Sequence, residues 1–100
     1  MKHLTRDMLV DVFEMLPDTF DAHDLERRTL RVLPVPFAEE LLEFRSSDDP
    51  LLQFSAAFAQ WFDRAFAGEV TKLEKVETEN LGGLVSTNQQ WAKRKPTPAT

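Results

Sequence analysis

Three short stretches of this 100-residue chain hold the groups that acid–base or nucleophilic chemistry needs: His23 beside Asp24, the glutamates Glu39, Glu40 and Glu43, and the run Ser46-Ser47-Asp48-Asp49. A histidine next to a carboxylate could serve as a general base, neighbouring carboxylates could divide acid and base roles, and a serine could be a nucleophile. Spacing gives each stretch a local structural task instead. His23 and Asp24 fall in the first turn of a helix capped by Asp21, the glutamates form a solvated helix face, and the Ser/Asp run ends in a cap followed by Pro50. No phosphate loop or dinucleotide fingerprint is present, so no catalytic residue and no cofactor is expected. With no cysteine and two isolated histidines, and with Asp48 and Asp49 lacking the alternating oxygen ligands of a calcium loop, no metal site is expected either.

Binding offers two stronger candidates. The outward face of the fourth predicted helix carries Gln53, Ala56, Ala57, Gln60, Asp63, Arg64 and Ala67. Gln53 and Gln60 could pair with adenine edges and Arg64 with guanine, whose donors and acceptors match theirs. One base and one acid supply little phosphate affinity, however, and the small residues Ala56 and Ala57 suit close approach of another helix. The second candidate is the segment Ser86 to Gln90, with Asn88 at its centre, followed by Lys93, Arg94 and Lys95; a polar loop with a basic end can reach a nucleic-acid backbone, and it also serves solubility.

Charge weighs against polyanion binding. The first fifty residues hold 12 acids and 6 bases, the last fifty 5 acids and 6 bases, and the whole chain stands at −5. Non-specific DNA affinity comes mainly from neutralising phosphates, which an acidic body opposes. A hydrophobic content of 42% and a charged content of 29% fit one folded domain over residues 1–95 with a disordered tail at 96–100. No apolar run approaches the length of a membrane span, charged residues interrupt the first nine positions, and the absence of cysteine fits a reducing compartment; a cytoplasmic protein is expected.

The elements that would position these groups follow from caps and periodicity. Thr5 caps a helix whose apolar residues Met8, Leu9, Val12, Phe13 and Leu16 recur at helical spacing until Pro17; Asp18 to Phe20 reads as an extended connector; Asp21 caps a second helix over about 22–33. Pro36 suits the first position of a third helix ending near Arg45. Asp49-Pro50 opens a fourth, Leu51 to Ala67, closed by Gly68, with Phe54, Phe58, Phe62 and Phe66 four apart and Trp61 and Ala65 beside them. Short β-prone pieces follow around residues 70–73 and 75–78, Gly82-Gly83 marks a turn, Thr87 to Gln90 reads as a polar loop, and Trp91 returns to the core. The fold class expected is α+β, about four helices followed by a C-terminal β-hairpin, with a core made by the first, second and fourth helices and Trp91.

Helices, then a long amphipathic helix, then a glycine-containing hairpin is the order of the winged helix-turn-helix. In Phe20-Asp21-Ala22-His23-Asp24 and in Asn80-Leu81-Gly82-Gly83 to Asn88-Gln89-Gln90-Trp91 the sequence resembles a set of small, uncharacterised bacterial proteins with a winged-helix-like domain, over roughly residues 18–94. The resemblance implies that the fourth helix is the recognition helix and residues 79–90 the wing; it carries over no assigned activity. The function expected is a non-enzymatic interaction module that binds a protein partner or itself. The alternative is a DNA-binding transcriptional regulator using Gln53, Gln60 and Arg64 for bases and Lys93 to Lys95 for phosphates.

Overall fold

The computed structural model describes residues 1–94. Capping chemistry sets where its helices begin. Thr5 Oγ1 accepts from the Met8 N–H to open α1 (Arg6–Met15). Asp21 and Asp24 form a reciprocal box, each carboxylate accepting the other's backbone N–H at 2.8 and 3.1 Å, and so open α2 (Ala22–Val32). Asp49 Oδ1 accepts from the Leu52 N–H at 3.1 Å, with Pro50 at the first position of α4 (Pro50–Ala65). The third helix, α3 (Pro34–Leu42), begins two residues earlier than Pro36 implies. Both prolines lie in its first turn, where backbone N–H groups have no intrahelical partner, so neither removes a bond.

The sheet has three antiparallel strands in the order β1-β3-β2: β1 (Thr19–Asp21), β3 (Val85–Lys93) in the middle and β2 (Val70–Glu79) at the edge. The segment expected to be a connector is thus a strand, because Phe20 stands opposite Trp91 and both are buried in the core. Two short pieces expected after α4 are one ten-residue strand, and the stretch Thr87 to Gln90 is strand rather than loop, each of its residues paired with β1 or β2 or set across the bulge in β2. That bulge lies between Lys72 and Lys75, where β2 advances three residues while β3 advances two, from Trp91 to Gln89. At the hairpin turn Asn80 Oδ1 accepts from the N–H groups of Gly82 and Leu84, and Gly83 takes φ 82°, a left-handed value that side chains resist. Gly68, expected to close α4 in that manner, has no positive φ; the helix ends at Phe66 with its backbone N–H on the Phe62 carbonyl.

Four helices and this hairpin make an α+β fold around one hydrophobic cluster. The phenylalanine row of α4 is fully buried, and Trp91 sits between Phe62 (centroids 4.9 Å apart) and Phe20 (5.7 Å). The Trp91 indole N–H, which burial would otherwise leave without water, donates to Asp63 Oδ1 at 2.9 Å. α3 joins this core as well, since Phe37 is buried edge-to-face against Phe54.

Candidate functional site

A groove of about 650 Å³ runs between α4 and the β2–β3 hairpin, from Asp49 at one end to Arg64 at the other. Fifteen helical steps at 1.5 Å each make it about 22 Å long. The α4 periodicity places Ala56, Gln60 and Arg64 along one wall, while Lys72, Lys75 and Gln89 line the other. Leu52, Leu84 and Val85 form an apolar rim, each more than half exposed.

Glu26 lies on the floor. Ala22, Leu25, Glu26 and Thr29 stand at i, i+3, i+4 and i+7 of α2, the buried stripe of an amphipathic helix, so the carboxylate occupies a position an apolar residue would ordinarily hold. It is 1% exposed. Oε1 accepts the Ser55 hydroxyl at 2.6 Å, and Oε2 has no hydrogen-bond partner. Burial pushes its pKa up to about 7, against the smaller opposing pull of the Ser55 hydrogen bond and the Arg27 charge. Near neutral pH this carboxyl is therefore divided between an acid and an anion, and a donor brought to Oε2 would favour the anion.

Beside it a polar knot ties the hairpin to the start of α2. The Thr78 hydroxyl donates to Asp21 Oδ2 at 3.0 Å, so its oxygen is left to accept, from Asn88 Nδ2 at 3.0 Å and from His23 Nδ1 at 2.8 Å. The neutral His23 ring consequently carries its proton on Nδ1, and Nε2 faces the Ser86 hydroxyl at 3.4 Å. Burial, the largest influence, lowers the His23 pKa. Asn88 Oδ1 accepts the His23 backbone N–H, and the Arg27 guanidinium donates to the Glu79 carbonyl at 2.7 Å. These contacts fix one wall of the groove.

The residues singled out from sequence divide. Ala56, Gln60 and Arg64 share the groove wall; exposed Gln53 and half-buried Ala57 lie outside it. Asn88 lines the groove but spends its amide on Val76, Thr78 and His23. Lys93 Nζ donates to the Leu16 carbonyl and lies 4.9 Å over the Phe13 ring, while Arg94 is exposed. Lys95 and the tail at 96–100 lie outside the described residues. The glutamates of α3 are not all solvated: Glu40 is buried and accepts the backbone N–H groups of Lys2, His3 and Leu4, anchoring the N-terminal segment. His3 reaches Glu39 and Glu43 at 2.9 Å each, and chiefly its hydrogen bond to Glu43 raises its pKa. Ser55, Glu26 and Thr78 are the residues that sequence reasoning missed; Glu26 and Thr29 in an apolar register were the legible signal.

Among the described residues no helix is long and apolar enough to cross a membrane, and no three His, Asp or Glu side chains are grouped to hold a metal ion. No protein-family model, curated protein or solved structure matches the chain.

Proposed function

We propose that the chain is a non-enzymatic interaction module of winged-helix type whose α4–hairpin groove receives a segment of a protein partner carrying a basic side chain. Support for the class is the order of elements, four helices with the long amphipathic one last and then a glycine-turned hairpin. The observation that carries the function is the unpartnered Oε2 of Glu26 on the groove floor. A buried acceptor without a donor costs free energy that an incoming ammonium or guanidinium would recover, and the apolar rim of Leu52, Leu84 and Val85 would cover the stem of such a side chain. A cytoplasmic setting belongs to the same reading, on the absence of cysteine.

Duplex binding has less support. Gln60 and Arg64 line the groove wall while Gln53 lies off it, and Lys93 already serves the Leu16 carbonyl. Saturable binding of a labelled duplex that weakens steeply with salt and drops with Arg64→Ala would favour that alternative. The partner reading is tested by titrating n-butylguanidinium and, as a neutral control, n-butylurea into labelled protein at pH 8 and following amide shifts. Guanidinium should move groove residues on α2, α4 and β3, and Glu26→Gln should abolish the response. Equal shifts with the urea, or shifts elsewhere, would overturn it.

A further inference from the structure

We propose that two copies of this chain pair through their β2 strands, antiparallel, about a twofold axis between Glu74 and Lys75, which joins their sheets into one of six strands. The inference concerns the outer edge of β2 and does not depend on the groove floor, although Lys72 and Lys75 also line the groove wall and Lys72 lies 3.9 Å from Asp63 of α4.

β2 is the terminal strand of the sheet, bonded to β3 on one side only, and Thr71 to Lys75 are all exposed. An exposed edge is a template for another strand, and charges ordinarily guard it. Here the charges select a partner. Thr71-Lys72-Leu73-Glu74-Lys75-Val76-Glu77-Thr78 set against its own reverse puts Thr71 opposite Thr78, Lys72 opposite Glu77, Leu73 opposite Val76 and Glu74 opposite Lys75. Every pair is like with like for the neutral residues and opposite in sign for the charged ones. Sliding the register by two residues sets Lys72 against Lys75, which repels, so the pattern also disfavours that neighbour.

The backbone phase agrees. In two identical regular strands a facing pair must point its hydrogen-bonding groups the same way, which requires residue numbers of equal parity. Lys72 and Glu77 differ in parity, so an unbroken strand would forbid the pairing. The bulge between Lys72 and Lys75 inserts one residue and restores it. Lys72 stands opposite Trp91 and Glu77 opposite Thr87, both odd-numbered positions of β3; Thr71 stands opposite Ala92 and Thr78 opposite Ser86, both even. The two outer facing pairs, Thr71 with Thr78 and Lys72 with Glu77, therefore have matched phase, and the bulges lie between them. Because the axis relates the two bulges, each strand carries one extra residue between positions 72 and 77, and the outer pairs stay in step on both sides of the axis.

Sedimentation velocity over a concentration series at low salt tests the inference. The unaltered chain should dimerise reversibly, more weakly as salt rises. Lys72→Glu with Lys75→Glu, and separately Glu74→Lys with Glu77→Lys, should each weaken self-association by about tenfold or more, since four cross-strand pairs become repulsive. Mixed in equal amounts, the two variants should form a heterodimer, because every charged pair is then opposite again; circular dichroism checks that each is folded. A monomer at all concentrations, a dimer indifferent to both sets of substitutions, or variants that fail to combine would overturn it.

Discussion

Replacing Glu26 by glutamine should change the pH dependence of folding more than folding itself. The carboxyl stands at about 7 in the folded chain against an ordinary 4.5. The folded state thus holds this proton more tightly than the unfolded state, so the stability it confers is full below pH 4.5, falls as pH rises towards 7, and is gone above. At about 1.4 kcal/mol per unit the difference amounts to about 3 kcal/mol. The amide keeps an oxygen for the Ser55 hydroxyl but brings an N–H to the place of Oε2, where no acceptor waits, a pH-independent cost of about 1–3 kcal/mol. Urea denaturation of both chains at pH 5, 6, 7 and 8 separates the two effects. The stability of Glu26→Gln relative to the unaltered chain should rise by about 3 kcal/mol from pH 4.5 to 8, most of it between pH 5 and 7. His23, whose depressed pKa acts with the opposite sign, is common to both chains and cancels in the difference. Parallel stability curves would refute the reasoning, since they would mean that Glu26 meets water or a counter-charge in the folded state.

Phe58→Ala, in the middle of the buried α4 row, should cost about 3–5 kcal/mol and be visible in a thermal melt. Thr78→Val removes the hydroxyl that joins Asp21, His23 and Asn88; about 1–3 kcal/mol should be lost, and amide exchange should quicken at the Asn88 end of the hairpin before it does in α4. Gly83→Ala forces a side chain into φ 82° and should cost about 1–2 kcal/mol by the penalty of the left-handed region, measured by denaturant midpoint. An NMR titration of the two imidazoles should find His3 above and His23 below the ordinary 6.5; the reverse order would contradict both environments. Stability that His3 contributes should accordingly be full below pH 6.5 and vanish as pH rises through its raised value, a dependence absent from His3→Gln.

Local signals were readable where one residue settles the outcome. Thr5, Asp21 and Asp49 each cap the helix their position implies, and the phenylalanine row of α4 is buried along its length. Strand pairing was less readable. β1 is three residues long, too short for a periodicity, and exists because Phe20 meets Trp91 some seventy positions away. Thr87 to Gln90 looks like a loop by composition, yet Asn88 and Gln89 bond inside the hairpin to the Val76 and Leu73 carbonyls, so polarity there marks satisfied hydrogen bonds and not solvent. The basic run misled in a similar way: Lys93 has an alkyl stem long enough to cross Phe13 and reach the Leu16 carbonyl. Glu40 gave no local warning at all, because its partners are three backbone N–H groups at the far N-terminus.

Glu26 also bears on why a groove exists between α4 and the hairpin. An apolar residue of similar volume at that α2 position would be more stable than a carboxylate with one oxygen unpartnered, and it would leave Ser55 to find another acceptor. The hairpin, for its part, is tied to α4 at one end, by Trp91 on Phe62 and Asp63 and by Lys72 3.9 Å from Asp63, and elsewhere to β1 and α2, by the β1 ladder, the knot at Thr78 and Arg27 on the Glu79 carbonyl. These contacts fix both walls of the groove within the chain itself. A preformed site spends little of its binding free energy on ordering loops. Among the described residues Glu26 Oε2 is the one buried side-chain polar atom without a hydrogen-bond partner, whereas the other buried polar side chains, Asp21, His23, Thr29 and Glu40, have their partners within the chain. A fold that breaks its own packing rule at one position lining a cavity supports the proposal that this groove receives a basic side chain.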